Sequence, residues 1–350
     1  MKKFAFYLPQ FHEIPENNKW WGKGFTEWTN VKKAKSYFNG HIQPIHPLDS
    51  NYYTLDNVNV LKWQAELAKK YNIDGMIFYH YYFCGKKLLE KPAEMLLNNK
   101  KVYMPFFFCW ANHSWYRSWE GSKELLVEQI YGTEKEWEEH FRYLLTFFND
   151  YRYIKKDNKP ILVIYNPEFS ERKAMLEYFN RRCKENGYNG IYIIETIASI
   201  DQYNRMTKEM TQYDRMFHFR EPTFSLSLDK TENTLIHRGI RKLYCLLRFG
   251  MTVIEGNELL KLRMKYKMED KIVPGLFFSW DNSPRHGKRA FIINSISKKI
   301  FMNYMDCIKE SDYVFINAWN EWCEGMILEP TEENGYRYLE WIKEWSENNE

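Results

Sequence analysis

Glu321 and Glu324 stand three residues apart in the stretch Asn317-Ala318-Trp319-Asn320-Glu321-Trp322-Cys323-Glu324. At that spacing two carboxyl groups lie on one side of the backbone and feel each other's charge, which drives their proton affinities apart and separates an acid from a base. A Glu-x-x-Glu pair is also common on solvated helix starts, where the dipole favours acids. Here Asn317, Trp319, Asn320 and Trp322 flank the pair, and indole faces are surfaces on which pyranose rings stack. The chemistry this points to is acid and base work at a glycosidic bond. In the usual retaining scheme two carboxyl groups about 5 to 5.5 Å apart flank the anomeric carbon.

Such a pair needs a rigid support. Residues 313–318 form an apolar run rich in β-branched and aromatic side chains, which suits a strand buried on both faces with the carboxylates at its C-terminal tip. Seven further strands are expected at residues 3–8, 75–83, 102–110, 160–165, 190–196, 212–219 and 273–280, with 212–219 the weakest in pattern. Helices are expected at 58–71 with Asp56 as N-cap, at 88–98, 135–150, 171–186, 298–309 and 336–345, and as two stretches within 231–270. Alternation of this kind defines an α/β chain folded as a (β/α)8 TIM barrel. The expected organisation is one domain over residues 1–350 with long βα loops and a basic helical insertion around 231–271. Residues 13–55 show little periodicity, and a connection that long is usually functional or a lid. Gly22-x-Gly24 lacks a third glycine and a preceding strand, which rejects a dinucleotide site. In a barrel the strand ends share one mouth, so His12, Tyr81, Trp110, Asn112, Trp280, Asp281, Asn282, Arg285, Trp319, Glu321 and Glu324 are expected around a single pocket. Asp281 and Arg285, close on one loop, would pair with each other or hold sugar hydroxyls.

Asn320-Glu321-Trp322-Cys323-Glu324-Gly325 resembles the Asn-Glu-Trp-His-Glu-Gly signature of the glycoside hydrolase family 99 endo-α-mannosidases. The wider chain is similar to the bacterial WbsX-type glycosyltransferases, which carry a family 99-like domain. The shared pieces are Tyr7-Leu8-Pro9-Gln10-Phe11-His12, Gly24-Phe25-Thr26-Glu27-Trp28, Trp110-Ala111-Asn112, Trp280-Asp281-Asn282-Ser283-Pro284-Arg285 and 317–330. They span most of the sequence, and the ordered set is far more specific than any one piece. The resemblance implies that Glu321 deprotonates a sugar 2-hydroxyl to form a 1,2-anhydro intermediate while Glu324 protonates the leaving oxygen. Together with the polar-aromatic strand ends, it makes Tyr7, Gln10, His12, Trp28, His80, Tyr81, Trp110, Asn112, Trp280, Asp281, Arg285, Asn317, Trp319 and Asn320 the expected substrate-binding set. Cys323 stands where the hydrolase signature has His.

Composition agrees with a glycan-active protein. Aromatic residues make up 18% of a chain that is 27% charged, with 13 Trp and 26 Tyr, an unusual richness for so polar a sequence. Net charge is only +4, and residues 237–271 alone carry nine Lys or Arg against four Asp or Glu. The remainder is close to neutral, so no nucleic-acid partner is expected; the basic segment is either a solvated helix pair or a dock for an anionic membrane or acidic glycan. The cysteines show no paired spacing and no Cys-x-x-Cys, no His-x-x-x-His occurs, and neither a catalytic metal nor another cofactor is expected. The apolar run after Met1 is too short for a signal peptide and no run reaches membrane-span length, so a cytoplasmic protein is expected. Three functions compete. One is a retaining glycosidase-like enzyme of surface polysaccharide metabolism. Another is a glycosyltransferase of capsule or O-antigen synthesis using an activated donor, although Asp-x-Asp is absent. The last is a non-catalytic glycan-binding protein, which would not need paired acids.

Overall fold

The computed structural model describes residues 1–117, 124–232, 251–266 and 269–349. Strand β1 (Lys2–Tyr7) lies between β8 (Tyr313–Asn317) and β2 (Gly75–Phe83), parallel to both, with Phe4 opposite Phe315 on one side and Gly75 on the other. The sheet continues in parallel through β3 (Phe106–Trp110), β4 (Lys159–Ile164), β5 (Tyr192–Ile197) and β6 (Asp214–Phe219). Strand β7 comes in two pieces, Ile272–Val273 against β6 and Gly275–Phe277 against β8. Pro274 separates them because it has no N–H for the ladder, though its carbonyl still accepts from Phe315 at 3.0 Å. Through that residue the sheet closes into the expected TIM-like barrel.

Strand parity decides which side chains face the barrel axis. Phe4 and Phe6 of β1 meet rings from strands that are not their neighbours, Phe107 at 5.0 Å and His218 at 5.6 Å, so they point inward. Tyr7, one residue on, points outward and gives its hydroxyl to Gln64 at 2.7 Å on the helix Val58–Lys70. Gly75 is required at the start of β2, because a Cβ there would come within 2.5 Å of the Pro105 carbonyl oxygen. That same carbonyl accepts from Met76, so β3 starts at Phe106, later than the expected 102.

Outside the barrel, amphipathic helices cover the strands. Glu134–Phe148 buries Trp137, Phe141, Leu144 and Phe148, and a capping box between Thr133 and Glu136 opens it, worth about 1 kcal/mol. The cap of Val58–Lys70 is Asn57, whose side chain accepts from Asn59; Asp56 instead takes the Thr54 hydroxyl. The long 13–55 connection holds two short helices, Pro15–Trp21 and Glu27–Lys33, that short polar periods did not reveal. Trp280–Asp281 is not the end of β7: it pairs with Phe291–Ile293, and Thr252–Ile254 completes this small separate sheet.

Much of the basic 231–271 segment lies outside the described residues. Where it is described, as helix Gly256–Lys265, Arg263 is buried against Phe219 and Phe224 and sits 3.2 Å from Glu221, so it is a core cation and not part of a charged surface. Among the described residues no helix is long and apolar enough to cross a membrane. The described cysteines, Cys84, Cys109, Cys183, Cys307 and Cys323, are all free thiols.

Candidate active site

At its C-terminal tip β8 runs into a tight hairpin, Asn320–Glu321 against Met326–Ile327, joined by the 3-10 turn Trp322–Glu324. Gly325 closes the turn at φ 62°, and a Cβ there would approach the Asp281 backbone nitrogen to 3.1 Å. The hairpin is locked to the first strand. Asn320 accepts from the Leu8 N–H at 2.7 Å and donates to the Leu8 carbonyl at 3.0 Å, while the Trp319 N–H reaches the Phe6 carbonyl at 2.7 Å.

Both carboxylates face a cavity of about 580 Å³ at the barrel mouth. Gln10, Tyr81, Trp280, Arg285 and Asn317 line it with them, as expected, and so do Tyr79, His113, Trp115, Tyr165, Arg220, Trp20 and Trp21. Glu321 is almost fully buried, and its Oε2 has no hydrogen-bond partner among the described residues. Burial, followed by the charge of Glu324, raises its proton affinity well above that of an ordinary carboxylate. Glu324 is more open and accepts from Arg285 Nη1 at 2.5 Å. Arg285 Nη2 donates to the wholly buried Glu27 at 2.6 Å and stands 3.7 Å from Glu321 Oε2. One guanidinium thus holds three carboxylates in fixed relation. The Trp280 indole N–H is buried and has no acceptor among the described residues.

Other expected contacts lie elsewhere. Tyr7, His80 and Trp110 sit on the outward parity of their strands. His80 Nε2 is 2.9 Å from His140 Nε2 in the helix layer, and Trp110 donates to the Tyr82 carbonyl at 3.1 Å. Asn112 braces two loops by exchanging hydrogen bonds with the Asn166 backbone, both at 2.7 Å. His12 and Trp28 line a second hollow beside Thr26 and Lys32, and Trp28 gives its N–H to Tyr53 at 2.7 Å. Burial lowers the His12 proton affinity to about 4. Asp281 pairs not with Arg285 but with His41 at 2.9 Å and Gln43 at 2.6 Å.

Trp319 and Trp322, expected as sugar platforms, are fully buried braces. Their N–H groups converge on Glu329 at 2.9 and 2.8 Å, and Gln64 and Tyr53 add donors at 2.7 and 2.8 Å. Burial of Glu329, opposed by these four bonds, leaves its proton affinity raised to about 7. Asn320 is likewise wholly buried, held by the Leu8 backbone and the Tyr53 hydroxyl. Motif reading missed Glu27 and Arg220 among the charged site residues, and Trp20, Trp21, Tyr79, His113, Trp115 and Tyr165 on the wall. Glu27 had a signal in Gly24-Phe25-Thr26-Glu27-Trp28; Arg220 had none beyond its place after a weak strand. Among the described residues no group of three His, Cys, Asp or Glu is arranged to hold a metal ion.

Comparison with solved structures fits this architecture. The chain is similar over 99% of its length to the family 99 endo-α-mannosidase of Bacteroides thetaiotaomicron, covering 96% of that chain with TM-score 0.57 and 12% identity. It is equally similar to a glycoside hydrolase-like protein, at TM-score 0.59 and 14% identity over 99% of this chain and 93% of the other. These likenesses establish the fold. Residues 3–342 match the family described as Glycosyltransferase WbsX, and the chain belongs to that family. The uncharacterized protein WxcX of Xanthomonas campestris pv. campestris is 31% identical over 349 residues, which is 96% of this chain and 48% of the relative. The chain therefore spans about half the length of the curated relatives it matches.

Proposed function

We propose that the protein cleaves or transfers a glycosidic bond with retention, using the sugar's own 2-hydroxyl and the Glu321–Glu324 pair. The observation that carries this reading is the placement of two carboxyl groups with unlike surroundings at one strand tip inside an aromatic-lined cavity. Glu321, buried and of raised proton affinity, is a strong base once ionised. It takes the 2-hydroxyl proton as that oxygen attacks the anomeric carbon, and the bond to the leaving oxygen breaks as Glu324 delivers a proton to it. Water or an acceptor hydroxyl then opens the three-membered ring. The acceptor's proton returns to Glu324, and Glu321 gives its proton back to the 2-oxygen. Arg285 positions both groups, Trp280 and Tyr81 offer contact to the ring, and Gln10 and Asn317 offer polar contacts.

A second assignment has one specific observation in its favour. Burial and the charge of Glu324 favour the protonated form of Glu321, while Glu324 is ion-paired with Arg285, which suits an exchange of the acid and base roles. Leaving-group dependence separates the two assignments. Glu324→Gln should be nearly inactive on a natural glycoside and regain much activity on an aryl glycoside whose leaving oxygen needs no proton. Glu321→Gln should stay inactive on both, with losses of about 10²- to 10⁴-fold. The opposite pattern exchanges the roles, and full activity in both variants places the chemistry elsewhere. A 2-deoxy substrate processed at full rate would remove the 2-hydroxyl from the mechanism.

The family's description as a glycosyltransferase supports transfer over hydrolysis, and a place in surface polysaccharide metabolism is part of this proposal. Product analysis with and without added acceptor decides between them, and sugar binding without turnover of any donor would make the protein a glycan-binding module. Residence in the cytoplasm is part of this proposal, supported by the free thiols of the described cysteines.

A further inference from the structure

Arg220 follows directly on β6 and lines the cavity on its own strand's side of the mouth, with its guanidinium carbon 4.6 Å from the centre of the Tyr165 ring. Among the described residues no carboxylate stands within ion-pair distance of it. The adjacent Glu221 is committed elsewhere, to Arg263 at 3.2 Å and to the Ser225 N–H at 3.2 Å. Glu324 and Glu27 are committed to Arg285, which also flanks Glu321. An arginine held on an aromatic face has its planar fork presented edge-on for a bidentate acceptor, and it is not discharged at any ordinary pH.

We propose that Arg220 binds a carboxylate carried by the substrate, so that the protein selects a glycan with an acidic sugar of the uronic-acid type at the subsite beside Tyr165. This rests on the reading of the cavity as a glycan site and specifies what kind of glycan enters it. Charge balance favours a single carboxylate over a diphosphate. Among the described residues the cavity wall offers one cation without a carboxylate partner, Arg220, and an acid pair, Glu321 and Glu324, that resists further negative charge. A carboxylate neutralises Arg220; a diphosphate would bring at least one unmatched charge toward the acid pair. Tyr165 keeps the guanidinium in place, and His113, also on the wall, is close enough to Tyr165, at 5.3 Å between ring centres, to frame the same subsite.

The test compares oligosaccharides ending in glucuronosyl, mannuronosyl or galacturonosyl residues with their carboxyl-reduced twins, measured by calorimetry on the wild type, Arg220→Gln and Arg220→Lys. At least one acid form should bind the wild type about tenfold or more tighter than its reduced twin, as expected of a charge-assisted hydrogen bond. That ratio should fall toward one in Arg220→Gln and be partly kept in Arg220→Lys. Thermal melts of both variants verify folding, and the wild-type ratio stands as a result even if a variant unfolds. Equal binding of acid and reduced forms by the wild type, or an unchanged ratio in folded Arg220→Gln, overturns the carboxylate assignment but leaves the glycan reading in place. Binding of neither form overturns both. Tighter binding of UDP or GDP than of any uronoside, lost in Arg220→Gln, would also overturn it and assign Arg220 to a nucleotide donor.

Discussion

Arg285 Nη2 donates to Glu27 Oε1 at 2.6 Å, joining the helix Glu27–Lys33 that follows the first strand to the short helix Ser283–His286 that follows the seventh, across 258 positions of sequence. Neither side chain is useful alone. Glu27 has no exposed surface, and leaving it or the guanidinium unmatched would bury a bare charge. Glu27→Gln should therefore destabilise the fold by about 3 kcal/mol. Urea unfolding checks this, and a variant with an unchanged midpoint would mean that Glu324 alone satisfies Arg285. Arg285→Lys should fare little better, since an ammonium cannot address two carboxylates through a planar fork.

The acid pair predicts a pH signature. Burial and then the charge of Glu324 raise Glu321, so the acidic limb of kcat/KM, which reports ionisation of the base, lies above the ordinary carboxylate range. Glu324→Gln removes that charge, and with an aryl substrate the limb should move to lower pH. A limb that stays in place would belong to another group.

Glu329 links pH to stability. Its folded proton affinity, raised to about 7, exceeds that of an unfolded glutamate, so the folded state holds the extra proton. The contribution is fully present below about pH 4.3 and is lost as pH rises toward 7, amounting to roughly 3 kcal/mol at most. Chemical denaturation of wild type and Glu329→Gln at several pH values should give a stability difference that moves against the wild type across this window and is flat above it. A difference independent of pH would show that Glu329 is already ionised.

Two indoles should answer to different measurements. Trp319→Phe loses the N–H that Glu329 accepts and should cost about 1 to 3 kcal/mol of stability, because a buried acceptor is left short of a donor. Trp280→Phe, at the cavity wall, should leave the melting temperature nearly unchanged and weaken substrate binding. Equal effects of both on binding would put Trp319 in contact with the substrate.

Much of the scaffold was legible in the sequence. All eight strands were found, the weak run at 212–219 included, because apolar runs of five to eight residues with turn residues between them carry the barrel's repeat. The acid pair, Trp280, Arg285 and Tyr81 were expected at one mouth because strand ends share it, and Gln10 and Asn317 joined the expected binding set with the help of the family resemblance. What failed is side-chain direction. His80 and Tyr81 are adjacent on one strand and point opposite ways, so only one can line the cavity, and Tyr79 was the missing partner. Trp319 and Trp322 looked like exposed platforms because no sequence period announces a buried carboxylate 10 and 7 positions away that takes both their N–H groups. The ties from His41 to Asp281 and from Glu27 to Arg285 were equally hidden, since each joins segments more than 200 positions apart.

The clasp between Leu8 and Asn320 spans 312 positions, and it has a consequence for how the chain is made. On a ribosome adding about 5 to 20 residues per second, the first strand waits roughly 15 to 60 s for the last one to appear. During that interval one edge of the growing sheet is unpaired, open to any other extended chain. The acid pair arrives with the strand that seals that edge, so a nascent chain has no reactive mouth until its most aggregation-prone moment is over.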